Sequence, residues 1–282
     1  VFSLSYSEYL KFIDQSLYEE YQKYTLETSF EVINPRIVIE LNNYLVYGGY
    51  PRVALVSNLE EKQELLNDIY QTYLLRDVRS YIRNEDFLGF NKLVFLLVLQ
   101  IGNLVNINEL SKSCRLSYAK CEEYINLLKQ MFICDFLEPF SLNRKKEITK
   151  MKKVYFLDIG LRNIICKDFA NIEYRKDSGE LFENYVYLEL LKNKKRIDSL
   201  FFYRTSDGLE IDFILKRNEE IFPIEVKFSN FDKPKSFRNL TVFMDNNDIL
   251  KAFLFNRNLN SSLEVKSGLI SYIPAQLLNK LW

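Results

Sequence analysis

Asp212, Glu225 and Lys227 are the residues whose types and spacing point most directly to chemistry. They lie on two segments that alternate apolar and polar residues with period two, the signature of half-buried strands. In the first, Ile211, Phe213 and Leu215 fall on one side and Glu210 and Asp212 on the other. In the second, Phe222, Ile224, Val226 and Phe228 share a face, opposite Glu225 and Lys227. The polar link Lys216-Arg217-Asn218-Glu219-Glu220 suits a hairpin turn. Pairing the strands with their apolar faces together gathers two carboxylates and an ammonium on one side of a sheet. A hard cation such as Mg²⁺ takes oxygen ligands of this kind, completing its shell with water and phosphate. A bound ion orients a water and offsets charge on phosphorus, and a neighbouring lysine assists both tasks. An amphipathic hairpin with a solvated charged face and one cross-strand ion pair accounts for the same residues.

The element that must position this pair is the segment before it. Residues 180–192 are apolar almost all round (Leu181, Phe182, Tyr185, Val186, Leu188, Leu190, Leu191), which predicts a buried helix. Glu183 sits inside that run, where a carboxylate is costly without a partner. After the hairpin, Asp232-Lys233-Pro234-Lys235 reads as a loop, 237–245 as a helix or connector, 251–255 as a buried strand and 269–273 as an edge strand. Leu277, Leu278 and Leu281 suggest a closing helix.

Upstream, residues 1–85 read as helical. Ser7 is placed to cap the first helix and Pro35 to open a second, Gly48-Gly49-Tyr50-Pro51 breaks the pattern, and a longer helix spans 59–83. Residues 86–170 look like a winged helix-turn-helix. An apolar helix over 90–101 ends near Gly102, a short helix runs from Ile107 to Cys114, and Ser117 caps a third through Met131. Two strands then flank a basic loop carrying Arg144, Lys145, Lys146, Lys150, Lys152 and Lys153. A DNA-binding version of this arrangement lays the third helix in the major groove and the wing on phosphates. Lys120 is the cation on that helix, accompanied by Glu122 and Glu123. A structural winged helix used for protein contacts has the same pattern.

The composition sets bounds on all of this. At 282 residues and 48% hydrophobic, the chain has material for two or three cores. Charge is balanced, 38 basic against 38 acidic residues, so any nucleic-acid surface must be local. Histidine is absent, which excludes Ser-His-Asp and Cys-His catalysis and His-dependent zinc sites. The four cysteines show no C-x-x-C spacing, and reduced buried thiols in a cytoplasmic protein are expected. No apolar run approaches the roughly 18 residues of a membrane span, so no membrane partner is expected. The first residue is Val1, as in a fragment or a processed chain.

An acidic helix, then an Asp strand, then a Glu-x-Lys strand resembles the PD-(D/E)XK nuclease-like superfamily. The resemblance extends over nearly the whole chain. It is carried by Leu4-Ser5-Tyr6-Ser7-Glu8-Tyr9-Leu10, Gly48-Gly49-Tyr50-Pro51, Thr72-Tyr73-Leu74-Leu75-Arg76-Asp77-Val78 and Val154-Tyr155-Phe156-Leu157-Asp158-Ile159-Gly160-Leu161. Further on it is carried by Gly179 to Asn184, Phe202-Tyr203-Arg204-Thr205, Glu210-Ile211-Asp212-Phe213 and Ile224-Glu225-Val226-Lys227. In this order the motifs resemble the C-terminal region of prokaryotic AAA-type ATP-binding proteins. The resemblance implies an α+β, multidomain architecture: a helical region (1–85), a winged helix-turn-helix (86–170) and a restriction-endonuclease-like α/β domain (171–282). It implies Asp212 and Glu225 as Mg²⁺ ligands, Lys227 as the residue orienting water or stabilising the transition state, and Glu183 as a fourth member tuning the site or contacting a second ion. It also implies an ATPase module upstream. No G-x-x-x-x-G-K-[ST] loop is present, so ATP is expected to act only through such a module. Nucleic acid, most naturally DNA, is the partner this implies. A catalytically inactive scaffold for nucleic-acid or protein binding, and a regulatory or homo-oligomerising region of the ATPase, stand as alternatives.

Overall fold

A computed structural model of the chain describes residues 3–26, 33–140 and 151–281. It is a mixed α+β protein with a helical N-terminal region and a C-terminal mixed sheet. The described residues group into two compact units, one drawing on 3–14, 40–136 and 151–175, the other on 15–26, 33–39, 137–140 and 176–281.

In the first unit the chain opens with the helix Tyr6–Ile13. Its N-cap is Ser5 rather than Ser7: the Ser5 hydroxyl accepts from the Glu8 amide while the Glu8 carboxylate takes the Ser5 amide, a capping box. Tyr6 and Tyr9 pack with Tyr44 of the helix Pro35–Tyr47. The predicted long helix is α-helical only over Leu59–Ile69 and continues as a π-helical segment, Tyr70–Asp77. The apolar helix runs Phe87–Leu99. The next two, Ile107–Cys114 and Tyr118–Gln130, join at Arg115 in the left-handed region, φ 56°, and Ser117 caps the second. Three short strands, β1 (Leu104–Val105), β2 (Cys134–Leu137) and β3 (Lys152–Phe156), form a sheet in the order β1-β3-β2. Leu93, Leu97, Leu110, Tyr124, Leu128 and Phe156 are central to one buried cluster.

Two sequence motifs meet in this unit. Asp158 caps the helix Ile159–Cys166, accepting the Leu161 amide at 2.8 Å, and accepts the Gly49 amide at 2.9 Å. Gly48 adopts φ +75°, and a Cβ there would lie 2.4 Å from Asp158 Oδ1, so glycine is required by both backbone and space. The Gly-Gly and Leu-Asp-Ile-Gly motifs are therefore a structural clasp.

The second unit is built on a six-stranded sheet, β4 (Ser199–Arg204), β5 (Glu210–Arg217), β6 (Glu220–Val226), β7 (Lys251–Asn256), β8 (Ser261–Val265) and β9 (Gly268–Pro274), in the order β4-β5-β6-β7-β9-β8. β6, β7 and β9 run parallel to one another; the other pairings are antiparallel. Strand β9, expected at an edge, lies inside the sheet; the edge is β8, whose Ser-Ser-Leu-Glu-Val gives little apolar signal. The crossover from β6 to β7 passes through the helix Arg238–Asn246, whose Leu240, Phe243 and Met244 bury against Ile214, Ala252, Leu254 and Ile270. Phe213, adjacent to Ile214 and so on the other face, stacks on Tyr187 of the helix Ser178–Asn193. That helix is buried along most of its length, as its all-round apolar character predicts. The closing segment Ala275–Lys280 is a 3₁₀ helix, with the Ala275 carbonyl accepting from Tyr185 Oη.

Candidate functional site

The β5–β6 hairpin forms as its alternation predicts, with a tighter turn: Arg217 pairs with Glu220, and Asn218 takes φ 55°. The ladder runs back to Phe213 opposite Ile224, and the next pair in that register is Asp212 and Glu225. On its other side β5 pairs with β4 through a bulge. Phe201 is opposite Ile214 and Tyr203 opposite Ile211, so the two residues Asp212 and Phe213 face the single Phe202. A bulge adds a residue, twists the strand and re-aims a side chain. Here it shifts the alternation by one: Ile211 and Ile214 enter the same core cluster, and Phe213 leaves it. The predicted grouping of Ile211, Phe213 and Leu215 on one face is therefore broken at Asp212.

At the bulge the Asp212 carboxylate itself meets β6, its Oδ2 accepting the Val226 amide at 2.8 Å. Glu225 is buried, and Lys227 Nζ lies 2.5 Å from its Oε1. The second oxygen, Oε2, is buried with no hydrogen-bond partner among the described residues. Burial pushes the Glu225 carboxyl up to about 8, helped by the nearby Asp212 charge and, more weakly, by Glu183; Lys227 opposes the rise. Lys227 is itself partly desolvated, yet Glu225 and Asp212 together hold its ammonium above the usual lysine range. Glu183, expected deep inside its helix, is half-buried, and its field reaches both Glu225 and Lys227. The fully buried polar residues of that helix are Asn184 and Glu189. Thus the structure brings all four predicted residues, Glu183, Asp212, Glu225 and Lys227, into one electrostatically linked group.

This donor set suits a hard cation. Two carboxyl groups on adjacent strands, one with a buried oxygen lacking a partner among the described residues, are oxygen donors of the kind such an ion takes, while Lys227 serves only one oxygen. Among the described residues no cluster of three or more acidic or thiol side chains encloses a metal. With only two carboxyl groups available, an ion held here would keep much of its water, as Mg²⁺ does.

The predicted nucleic-acid contacts fare differently. Lys120 is bound to its own helix, 2.9 Å from Glu123 and 5.4 Å from the Tyr124 ring centroid. Arg144, Lys145, Lys146 and Lys150 lie outside the described residues. Lys153, read as part of the basic wing, is buried in β3. Sequence reasoning missed three cation–ring pairs beyond Lys227: Lys235 with Phe231, Lys235 with Phe237, and Arg257 with Phe228. The signal available was the spacing of lysines and phenylalanines between Lys227 and Arg238. All four cysteines are free thiols. Among the described residues no helix is long and apolar enough to cross a membrane.

The comparisons fit this division of the chain. Residues 39–171 match a domain of unknown function (DUF8612), and residues 178–278, which contain the whole carboxylate site, match a second domain of unknown function (DUF4143). An uncharacterised protein of Haemophilus influenzae is 26% identical over 250 residues, covering 86% of this chain and 59% of the relative. One from Methanocaldococcus jannaschii is 22% identical over 246 residues, covering 84% of this chain and 52% of the relative. One from Mycobacterium tuberculosis is 22% identical over 182 residues, 64% of this chain and 41% of the relative. The chain spans about half the length of the curated relatives it matches.

Proposed function

We propose that this chain is the C-terminal part of a AAA-type ATP-binding protein and that residues 178–278 form a Mg²⁺-dependent nuclease module of PD-(D/E)XK type, hydrolysing phosphodiester bonds. The observation that carries the reading is the crowding of Asp212 and Glu225 at the bulged end of the β5–β6 hairpin, with one Glu225 oxygen buried and unpartnered. The order helix, three antiparallel strands, helix and parallel strand supports the fold assignment, as does Asp and Glu-x-Lys on neighbouring strands. The order helix, β1, two helices, β2 and β3 likewise supports a winged-helix fold in the first unit, for which we propose DNA contact.

Asp212 and Glu225 would hold the ion, which supplies Lewis acidity and an acidified water. Asp212 is fixed for this by the Val226 amide, which occupies Oδ2 and sets the carboxylate plane. Lys227 places a positive charge beside Glu225, where it orients a water or offsets charge on a phosphoryl oxygen. Glu183 adjusts the charge balance of the group. Because Glu225 holds its proton up to about pH 8, ion binding is expected to displace that proton and to strengthen with pH.

Calorimetric titration with Mg²⁺ or Mn²⁺, comparing wild type with Asp212→Ala, tests the site. Binding lost in the variant, together with divalent-dependent cutting of single- or double-stranded substrates lost in both Asp212→Ala and Glu225→Ala, is the expected result. Cutting retained in both folded variants overturns it. A second reading, a non-catalytic scaffold, is favoured by the half-buried position of Glu183 and the lack of a three-carboxylate cluster among the described residues. Nucleic-acid binding without divalent-dependent cutting fits that reading.

A further inference from the structure

The segment that follows Lys227 carries cations gathered on aromatic rings. Lys227 Nζ lies 5.8 Å from the Phe237 centroid, and Lys235 Nζ lies 5.2 Å from the same ring and 5.1 Å from Phe231. The two distances to Phe237 bound the separation of the ammonium groups at about 11 Å. Phe231 meets Phe237 edge-on at 6.1 Å, and Tyr272 Oη accepts the Lys235 amide at 3.0 Å, so ring and loop backbone are both held. Lys235 itself is exposed and makes no ion pair among the described residues; the loop's carboxylate, Asp232, is exposed as well. A ring face stabilises a nearby ammonium by about 0.5–2 kcal/mol. Lys227 is paired with Glu225, so Lys235 is the ammonium on this ring that has no carboxylate partner among the described residues.

The geometry points to Lys235, positioned by Phe237, as a phosphate clamp that takes the substrate backbone next to the phosphodiester presented to Asp212 and Glu225. This rests on the nuclease reading of the site. Each nucleotide step of a strand carries one phosphate charge, and an ammonium pair up to about 11 Å apart can reach neighbouring phosphates. Lys227, bound to Glu225, would serve the reacting phosphate; Lys235, free of carboxylates, would serve a neighbour. Arg257, its guanidinium 4.5 Å from the Phe228 centroid and its amide donating to the Ser229 carbonyl, extends the positive rim.

The test is fluorescence anisotropy of a labelled single-stranded DNA oligonucleotide with the full chain, in EDTA so that nothing is cut, over a salt series. Inorganic phosphate serves as competitor to separate backbone recognition from capture of a free anion. The expected result is that Lys235→Gln raises Kd about 3- to 10-fold and lowers the slope of log K against log salt by about 0.7, the loss of one phosphate contact on a single strand. Lys233→Gln, which removes an exposed charge from the same loop without a ring contact, leaves both unchanged. Lys235→Gln binding like wild type overturns the clamp. So does an equal loss in Lys233→Gln, which signals general charge attraction, and so does displacement of the oligonucleotide by equimolar inorganic phosphate. The clamp and the nuclease reading separate cleanly. Divalent-dependent cutting with unaltered binding in Lys235→Gln removes the clamp and leaves the nuclease. Weakened binding in Lys235→Gln with no cutting by wild type does the reverse.

Discussion

Glu225→Gln isolates the electrostatics of the site. In the folded chain the Glu225 carboxyl is pushed from 4.5 up to about 8 by burial and by Asp212. In the unfolded chain it titrates as an ordinary carboxyl. Between those values the folded state holds a proton that the unfolded state has released, so folding takes up a proton and stability falls as pH rises. The contribution is complete below about pH 4.5 and is lost by about pH 8. At about 1.4 kcal/mol per pH unit, this window is worth at most roughly 5 kcal/mol. Glutamine is nearly isosteric, keeps an acceptor for Lys227 and does not titrate. Urea denaturation at pH 5.0, 6.5 and 8.5, followed by backbone circular dichroism, reads the effect as a difference of slopes. Wild type is expected to lose at least about 2 kcal/mol relative to Glu225→Gln across the series. Any fixed cost of leaving Lys227 beside a neutral partner shifts the variant's curve without tilting it. Millimolar Mg²⁺ should recover stability at pH 8.5 in wild type and not in the variant, because the ion replaces the proton. Parallel curves for the two proteins between pH 5 and 8.5 refute the argument that Glu225 is a crowded, desolvated carboxylate.

Two further predictions concern the frame. Gly48→Ala puts a Cβ against Asp158 at φ +75° and breaks the clasp to Gly49, and about 2–4 kcal/mol of stability should be lost by urea denaturation, with Mg²⁺ binding at the second unit unchanged. Arg217→Ala strands Asp198, whose side chain is fully buried and paired to Arg217 at 2.7 Å; about 3 kcal/mol should be lost at pH 7. Arg217 hydrogen bonding holds the Asp198 carboxyl below its usual range, so in wild type this contribution is present above about pH 4 and fades as pH falls further. Acid unfolding of the variant should lack that fade.

Much of the frame was legible because local chemistry and global fold agree. Ile107–Cys114 and its Ser117-capped successor follow from capping residues and apolar spacing. The β5–β6 hairpin follows from alternation and a polar link, and Glu183, Asp212, Glu225 and Lys227 were grouped from residue type and from the family their order resembles. What escaped has identifiable causes. The bulge opposite Phe202 depends on how β4 pairs with β5, a tertiary matter that alternation within β5 cannot express. Strand β8 hid because an edge strand needs little apolar content, and that made the interior strand β9 look like the edge. Lys153 read as a wing cation because a buried lysine leaves no mark on local pattern. Lys235 read as loop and Phe237 as the start of a helix or connector, since the contact that joins them to Lys227 is made through space.

The bulge also sets how Asp212 is held beside β6. An unbroken β5 would continue its ladder along β6. The added residue instead makes the Asp212 side chain the acceptor for the Val226 amide. Asp212 is thereby fixed beside Glu225, which is desolvated by the helix and strands around it, and like charges at close range raise the proton affinity of the buried member. Stability alone would favour glutamine at position 225, which removes the buried ionisable group. Under the proposed function, a divalent ion bound by Asp212 and Glu225 would relieve the crowding that Lys227 offsets on one oxygen alone. The double variant Asp212→Asn with Glu225→Gln should consequently be more stable than wild type at pH 8 in the absence of divalent ions, and should show no stabilisation when Mg²⁺ is added.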